Sequence, residues 1–235
     1  MSSYAIYPTL MDALAYYAGA PTPEGERELI DRINRVPHPS TEQADRGTAL
    51  NNIVDEIVRP PLDPANTQLA SSVIEGVDAI GYVVNEKYYP FDRNLVRELT
   101  RRLEGSLCQE LVKGVIETSY GDVSLYGYTD YILSTEIVDL KTTSNYTPAK
   151  FRDHWQHRVY SYLVTGEGEA IDFTYLVAEV ASQKSHLITG RVFEETYRTI
   201  HEEAEREIKN YLETQMIPFI EDHRNLITNQ RIFGK

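Results

Sequence analysis

Along this chain the period of the hydrophobic positions changes. From Glu24 to Val36 apolar residues recur at the spacing of one helix face. The same holds from about Thr41 to Val58, where Ser40 and Gln43 form a capping-box signature and Pro60, Pro61 and Pro64 end the run. The first half therefore reads mainly as helix, with a loop or short strand around Asp78 to Tyr89. Asp92 then caps a helix carrying Leu95, Leu99 and Leu103, which Gly105 stops. From about Leu111 the pattern becomes strand-like: segments near 111–118, 123–132 and 136–142 are rich in Val, Ile, Tyr and Thr. A helix follows, with Thr147 as cap and Pro148 in its first turn, carrying Phe151, Trp155, Val159 and Tyr162. Two further strands are expected near Asp172 to Val180 and Ser185 to Val192, and then a long polar helix from about Glu194 to Leu212. Strands adjacent in sequence, followed by a helix leading to another strand, predict an α/β fold with a central mixed sheet covered by helices.

Composition narrows this picture. At 235 residues, with 41% hydrophobic and 25% charged positions and no internal repeat or Gly/Ser linker, the chain reads as one domain over 1–235. Its parts are a helical N-terminal region over about 1–105, a core over about 106–192 and a C-terminal helix over about 193–235. No apolar run approaches the roughly 20 residues that span a bilayer. The first twenty residues lack a basic stretch and carry Asp12 among apolar neighbours, so they do not read as a signal peptide, and a cytoplasmic location with no membrane partner is expected. The single cysteine, Cys108, excludes an internal disulfide and an all-cysteine metal cluster, and reads as a small buried residue.

The net charge of -13 excludes broad, non-specific adhesion to nucleic acid. The charge is uneven, however. Residues 141–160 hold Lys141, Lys150, Arg152 and Arg158 against Asp153 alone, a local +3, together with His154 and His157, whereas residues 194–222 hold nine acids against three basic residues.

The chemistry concentrates in GYTDYILSTEIVDLKTTS, residues 127–144. With a tight turn around Ser134-Thr135, Ile132 pairs with Ile137 and Tyr131 with Val138. The same register would then place Asp130 opposite Asp139, Thr129 opposite Leu140 and Tyr128 opposite Lys141. Directly opposed carboxylates repel, so the pair needs compensation. A divalent cation with oxygen preference, Mg²⁺ or Mn²⁺, would supply it, and Lys141, on the same face as Asp139, would complete a phosphate site. An ordinary hairpin end with solvated charges is the other reading of the local pattern.

Gly127 and Asp130, then Ile137-Val138-Asp139-Leu140-Lys141-Thr142, then Gln156 and Tyr160, resemble the PD-(D/E)XK nuclease superfamily. More narrowly they resemble its RecB-type and phage exonuclease branch, with the patterns G-x-x-D, hydrophobic-(D/E)-x-K-T and Q-x-x-x-Y. The resemblance implies a restriction-endonuclease-like domain that hydrolyses DNA phosphodiesters with Mg²⁺ or Mn²⁺. Asp130, Asp139 and the Leu140 carbonyl would hold the metal, and Lys141 would orient or deprotonate the water. Gln156 and Tyr160 would position the strand, helped by Lys150, Arg152, His157 and Arg158. The branch often has an upstream G-x-x-x-H pattern whose His joins the metal; here Gly47 is followed by Asn51 in that place, so Asn51, Glu56, Glu110 and Glu117 are the candidates for a further ligand. Some relatives carry a four-cysteine iron-sulfur cluster, which Cys108 alone cannot supply. The resemblance also brings a homo-oligomer and a recombination or single-strand-binding partner into view. Two other readings stay open: a nuclease-like DNA-binding or assembly module without catalysis, and a site-specific endonuclease.

Overall fold

A computed structural model describes residues 4–181 and 187–234. Strand β1 (Tyr4–Ile6) leads into helices α1 (Pro8–Gly19), α2 (Pro23–Ile33) and α3 (Glu42–Val58). A three-stranded antiparallel sheet follows, β2 (Ala70–Ile74), β3 (Val77–Val84) and β4 (Lys87–Asp92), and then helix α4 (Arg93–Arg102). The core is a long hairpin, β5 (Leu107–Thr118) and β6 (Gly121–Ile132), joined by β7 (Glu136–Thr143), helix α5 (Gln156–Val164), β8 (Ala170–Val180) and β9 (Gly190–Ile200). Helix α6 (His201–Tyr211), a π-helical turn at Leu212–Met216 and α7 (Ile217–Asp222) close the chain.

Six strands form the central sheet. Its order is β1-β6-β7-β8-β9, with β5 on the other edge of β6; β1 with β6 and β7 with β8 are parallel, the remaining pairs antiparallel. The mixed sheet flanked by helices is thus present. Alternation sorts its side chains to two covered faces. Tyr131, Val138, Leu140 and Leu176 pack with Leu50, Ile53 and Leu99 of α3 and α4, while Ile137, Phe173, Tyr175 and Val177 pack with Tyr160 of α5. Among the described residues no helix is long and apolar enough to cross a membrane. Cys108 is buried in the α3/α4 face, as its composition class implies.

Three expectations about the elements fail. The stretch around Asp78 to Tyr89, read as a loop or short strand, belongs to a meander over 70–92, because Glu75-Gly76 and Asn85-Glu86 both take left-handed φ (51° and 81°, 48° and 65°), the geometry of two-residue hairpin turns. The helix expected from Thr147 starts only at Gln156: Ala149 at φ 65° breaks it, and Trp155 N donates to Asp12 of α1 at 2.5 Å. The polar helix starts at His201 rather than Glu194, because β9 continues to Ile200 in unbroken antiparallel register with β8. Its alternation is plain in the burial: Glu195, Tyr197 and Thr199 turn inward while Glu194, Thr196 and Arg198 face out. Of that expected strand, Ser185 and His186 lie outside the described residues. Of the expected caps only Asp92 holds, capping α4 through Asn94 N at 2.8 Å; Thr41 rather than Ser40 caps α3, accepting from Ala44 N at 3.2 Å.

Candidate active site

The site forms where the sheet comes apart. Strands β6 and β7 make the two pairs nearest the turn, Ile132 with Ile137 and Tyr131 with Val138, and then diverge. The opposition of Asp130 and Asp139 does not form, nor do the pairs Thr129 with Leu140 and Tyr128 with Lys141. Instead Asp130 Oδ2 accepts a hydrogen bond from Leu140 N at 3.0 Å, so a carboxylate stands where a backbone carbonyl would continue the ladder. The physical reason is the one that made the opposition unfavourable: directly facing like charges destabilise a pair, and divergence relieves them. On the same edge of β6, β1 pairs only with Val123, Ser124 and Leu125. Residues Tyr126 to Asp130 therefore have no strand partner on that edge, and a cleft opens between β1 and β7.

A second distortion lies opposite. In the β5/β6 ladder the pair Gln109 with Asp130 is missing, and Gln109 has φ 55°. Cys108 and Tyr131 face α3 and α4, whereas Val112, Ile116, Val123 and Leu125, of matching parity, pack toward α5 and α6. The hairpin changes face at Asp130.

Asp139, Lys141 and Gln156 close a triangle on the α5 side. Asp139 is 3% exposed. Gln156 Nε2 donates to Asp139 Oδ1 at 3.1 Å, Lys141 Nζ donates to Gln156 Oε1 at 2.8 Å, and Lys141 Nζ lies 2.7 Å from Asp139 Oδ2. The ammonium donates only and the carboxylate accepts only, so this amide orientation alone satisfies both neighbours. Tyr160, one turn along α5, lies over Gly127: a Cβ at Gly127 would stand 2.7 Å from the Tyr160 ring and its hydroxyl. The glycine of the first motif and the tyrosine of the third are thus one packing unit.

Electrostatics follow burial. Burial first, then the charge of Asp139, pushes the Asp130 carboxyl up to about 7. Burial works against the Lys141 ammonium, but Asp139, Asp130 and Asp12 outweigh it and hold its pKa above the usual lysine value. The Tyr160 hydroxyl is raised by burial and then by both carboxylates.

The residues present fit a hard divalent cation. Asp139 Oδ2 is buried with no hydrogen bond of good geometry, only the Lys141 ammonium 2.7 Å away, and burial and then the charge of Asp139 push the Asp130 carboxyl up to about 7, a strain that a bound cation would relieve. Among the described residues no group of three or more His, Cys, Asp or Glu converges on one point. Two carboxylates and a carbonyl suit Mg²⁺, which keeps several waters.

The other candidates are dispersed. Asn51 carries a buried Oδ1 with no hydrogen-bond partner, on the stretch of α3 where Gly47 meets Thr142 of β7. Glu56 is engaged elsewhere, accepting from Gln68 N at 2.9 Å and from Thr67. Glu110 sits in the ladder opposite Thr129, and Glu117 pairs with Asp122 at the far end of the hairpin. That is eight residues, roughly 26 Å, from Asp130. Of the four cations assigned to DNA, Lys150 donates to Thr143 Oγ1 at 2.6 Å and Asn145 O at 2.7 Å, closing the turn after β7, and Arg152 is exposed. His157 is not at the surface; it is 5% exposed, stacked on Tyr197 and 3.2 Å from the Tyr175 hydroxyl. Burial first, then Arg158 and His154, lowers its pKa to about 3. Arg158 is spent on Glu207 of α6 at 2.6 Å and on the His154 carbonyl at 2.8 Å.

Two acids escaped the sequence reading. Asp12 approaches from α1, holding Trp155 N and lying 3.8 Å from His154 Nδ1; burial raises its pKa. Its signal was an acid alone among apolar residues. Asp55, one turn beyond Asn51, accepts from the Tyr131 hydroxyl and from Gln109 Nε2 at 3.2 Å, and burial raises its pKa too. Beside the triangle lies a cavity of about 470 Å³ lined by Lys141, Gln156, Asp12, Thr9 and Arg32.

No curated protein matches the chain. The solved structure of SSO0001 aligns at TM-score 0.42 and 10% identity, covering 92% of this chain and 78% of that one. The sequence profile of the PD-(D/E)XK nuclease superfamily matches residues 26–225, which include Asp130, Asp139, Lys141, Gln156 and Tyr160. With that match over most of its length, the chain belongs to the PD-(D/E)XK nuclease superfamily.

Proposed function

We propose that the chain is a Mg²⁺-dependent deoxyribonuclease of the RecB-type and phage exonuclease branch, hydrolysing phosphodiesters from a DNA end. The observation that carries this reading is the triangle of Asp139, Lys141 and Gln156 facing a diverged strand pair, with Asp130 bonded across the fork. Asp130, Asp139 and the Leu140 carbonyl would hold the ion, which supplies a Lewis acid for the phosphoryl oxygens and a water of lowered pKa.

The chain's own residues do the rest. Lys141, whose ammonium is favoured by Asp139, Asp130 and Asp12, would place positive charge on a non-bridging oxygen, or orient or deprotonate the attacking water. Gln156 fixes the rotamers of Lys141 and Asp139 together. Tyr160, its hydroxyl kept neutral, and Arg32 border the path of the strand. A homo-oligomer and a recombination partner enter only with the branch itself.

The test is cleavage of end-labelled linear DNA and of closed circular DNA with and without Mg²⁺. Linear DNA is degraded and circular DNA survives; Asp139→Asn and Lys141→Ala, folded by circular dichroism, lose the activity. Full activity in both variants overturns the reading, and cutting of circular DNA turns it into an endonuclease. A module without catalysis is the second reading, favoured by Asn51 and by the lack of a third converging carboxylate or histidine among the described residues. Turnover with Mg²⁺ or Mn²⁺ removes it.

A further inference from the structure

The cleft continues past the triangle. On the other side of Thr9 a second cavity of about 400 Å³ is lined by Tyr7, Arg35, Tyr126, Gly127, Tyr128 and Tyr160, and Thr9 borders both. Tyr160 lines this cavity over Gly127, one helical turn from Gln156 of the triangle. The floor is the stretch of β6 that has no strand partner on this edge.

Its chemistry is specific. Tyr7 and Tyr126 pack at 5.9 Å between ring centroids, Tyr128 is 59% exposed, and Arg35 donates to the Tyr126 hydroxyl at 2.9 Å with its guanidinium 6.0 Å from the Tyr7 ring centroid. Arg35 is held at φ 57°, a conformation that costs a non-glycine residue energy and that the fold retains here. Among the described residues neither Arg32 nor Arg35 has a carboxylate within ion-pair distance, so both guanidinium charges are available to a ligand. In a chain of net charge -13, Arg32 and Arg35 each border one of two adjoining cavities. Aromatic faces beside unpaired cations are what a single-stranded nucleic acid needs: stacking for a base and a positive charge for its phosphate.

We propose that this second cavity is a nucleobase subsite, in which the base adjoining the scissile phosphate stacks on Tyr126 and Tyr128 while Arg35 takes a flanking phosphate. The proposal rests on the nuclease reading of the neighbouring triangle. It requires the terminal nucleotides to be single-stranded when they enter, since a paired base cannot reach the rings. It also makes recognition tolerant of sequence, because every base has a face to stack.

Single-stranded oligonucleotides carrying 2-aminopurine at successive positions, mixed with the protein in Ca²⁺, test it by fluorescence. Wild-type protein quenches the probe at one position near the cut. Tyr128→Ala, a change at an exposed side chain, abolishes that quenching and weakens binding about 5- to 150-fold, the range of one base–aromatic stack. Tyr128→Phe keeps both, and Arg35→Gln lowers the salt dependence of binding by about one phosphate contact. Unchanged quenching and affinity in Tyr128→Ala, or no quenching by the wild type at any position, overturns the proposal. Mg²⁺-dependent cleavage by the wild type is measured alongside. Cleavage with an unaltered Tyr128→Ala removes the subsite alone. Quenching lost in Tyr128→Ala, with no cleavage by the wild type, keeps the subsite and removes the nuclease reading.

Discussion

Strand β7 has two neighbours and treats them differently. With β8 it pairs in parallel over eight consecutive residues, Glu136 to Thr143; with β6 it pairs over two. On the β8 side the contacts are what a parallel strand buried on both faces requires: Ile137 beside Phe173, Leu140 beside Leu176, Lys141 beside Val177. On the β6 side the ladder is abandoned at the first acid. The same three residues, Asp139, Leu140 and Lys141, thus belong to a regular core on one edge and to a cleft on the other. Rigidity comes from the closed edge and chemistry from the open one, an arrangement that holds catalytic groups on a strand rather than on a loop.

The largest effect expected from this contrast is on activity alone. Lys141→Ala removes the fixed cation of the open edge while leaving the β7/β8 ladder in place. A loss on the order of 10²–10³-fold in kcat is expected, by analogy with the removal of one preorganised donor, with a cooperative thermal transition retained. Cleavage assays beside calorimetry check it. A variant that loses its folding transition as well would mean that the two edges are not separable.

Gly127→Ala strikes the open edge by packing. A methyl group 2.7 Å from the Tyr160 ring must displace it, and overfilling a packed site costs about 1–3 kcal/mol. For a chain of this size that is a fall in Tm of several degrees. Tyr160→Leu combined with Gly127→Ala should recover stability and not activity. Recovery of both would show that the tyrosine only fills space.

The closed edge answers to pH instead. His157 packs against Tyr175 of β8 and Tyr197 of β9, with a pKa lowered to about 3, against an ordinary 6.5. A depressed folded pKa means that the unfolded chain takes the proton more readily. The stability from keeping His157 neutral is therefore present above pH 6.5 and lost as pH falls toward 3, by at most about 2 kcal/mol at pH 5. Denaturant melts at pH 8 and pH 5 measure it, and His157→Phe should flatten the difference. An unchanged pH dependence in that variant would place the proton elsewhere.

How much of this was readable depends on the range of the interaction. The last two β6/β7 pairs, the cap at Asp92 and the alternation of β7 are local or motif-bound, and they were legible. The divergence at Asp130 was not, because periodicity extends a ladder indefinitely and carries no term for the repulsion that ends it. The two-residue turn at Asn85-Glu86 lacks the glycine that would mark it. Helix α5 starts late because Asp12, 143 residues away in sequence, takes the Trp155 amide. His157 and Arg158 looked like DNA contacts because positive residues clustered in sequence; tertiary packing turned one into the core and neutralised the other with Glu207.

The smallest prediction separates the two motif glycines. Gly47 occupies the first place of the upstream pattern as Gly127 does in the next, yet a Cβ there would meet Thr142 only at 3.8 Å, ordinary contact. It lies inside α3, eleven residues before the helix ends at Val58, where glycine costs roughly 0.5–1 kcal/mol against alanine. Gly47→Ala should therefore raise stability by about that amount, opposite in sign to Gly127→Ala, and leave cleavage unchanged. A stabilised variant with reduced activity would instead mean that this stretch of α3, with the unpartnered Asn51 oxygen one turn on, has to yield when the site is filled.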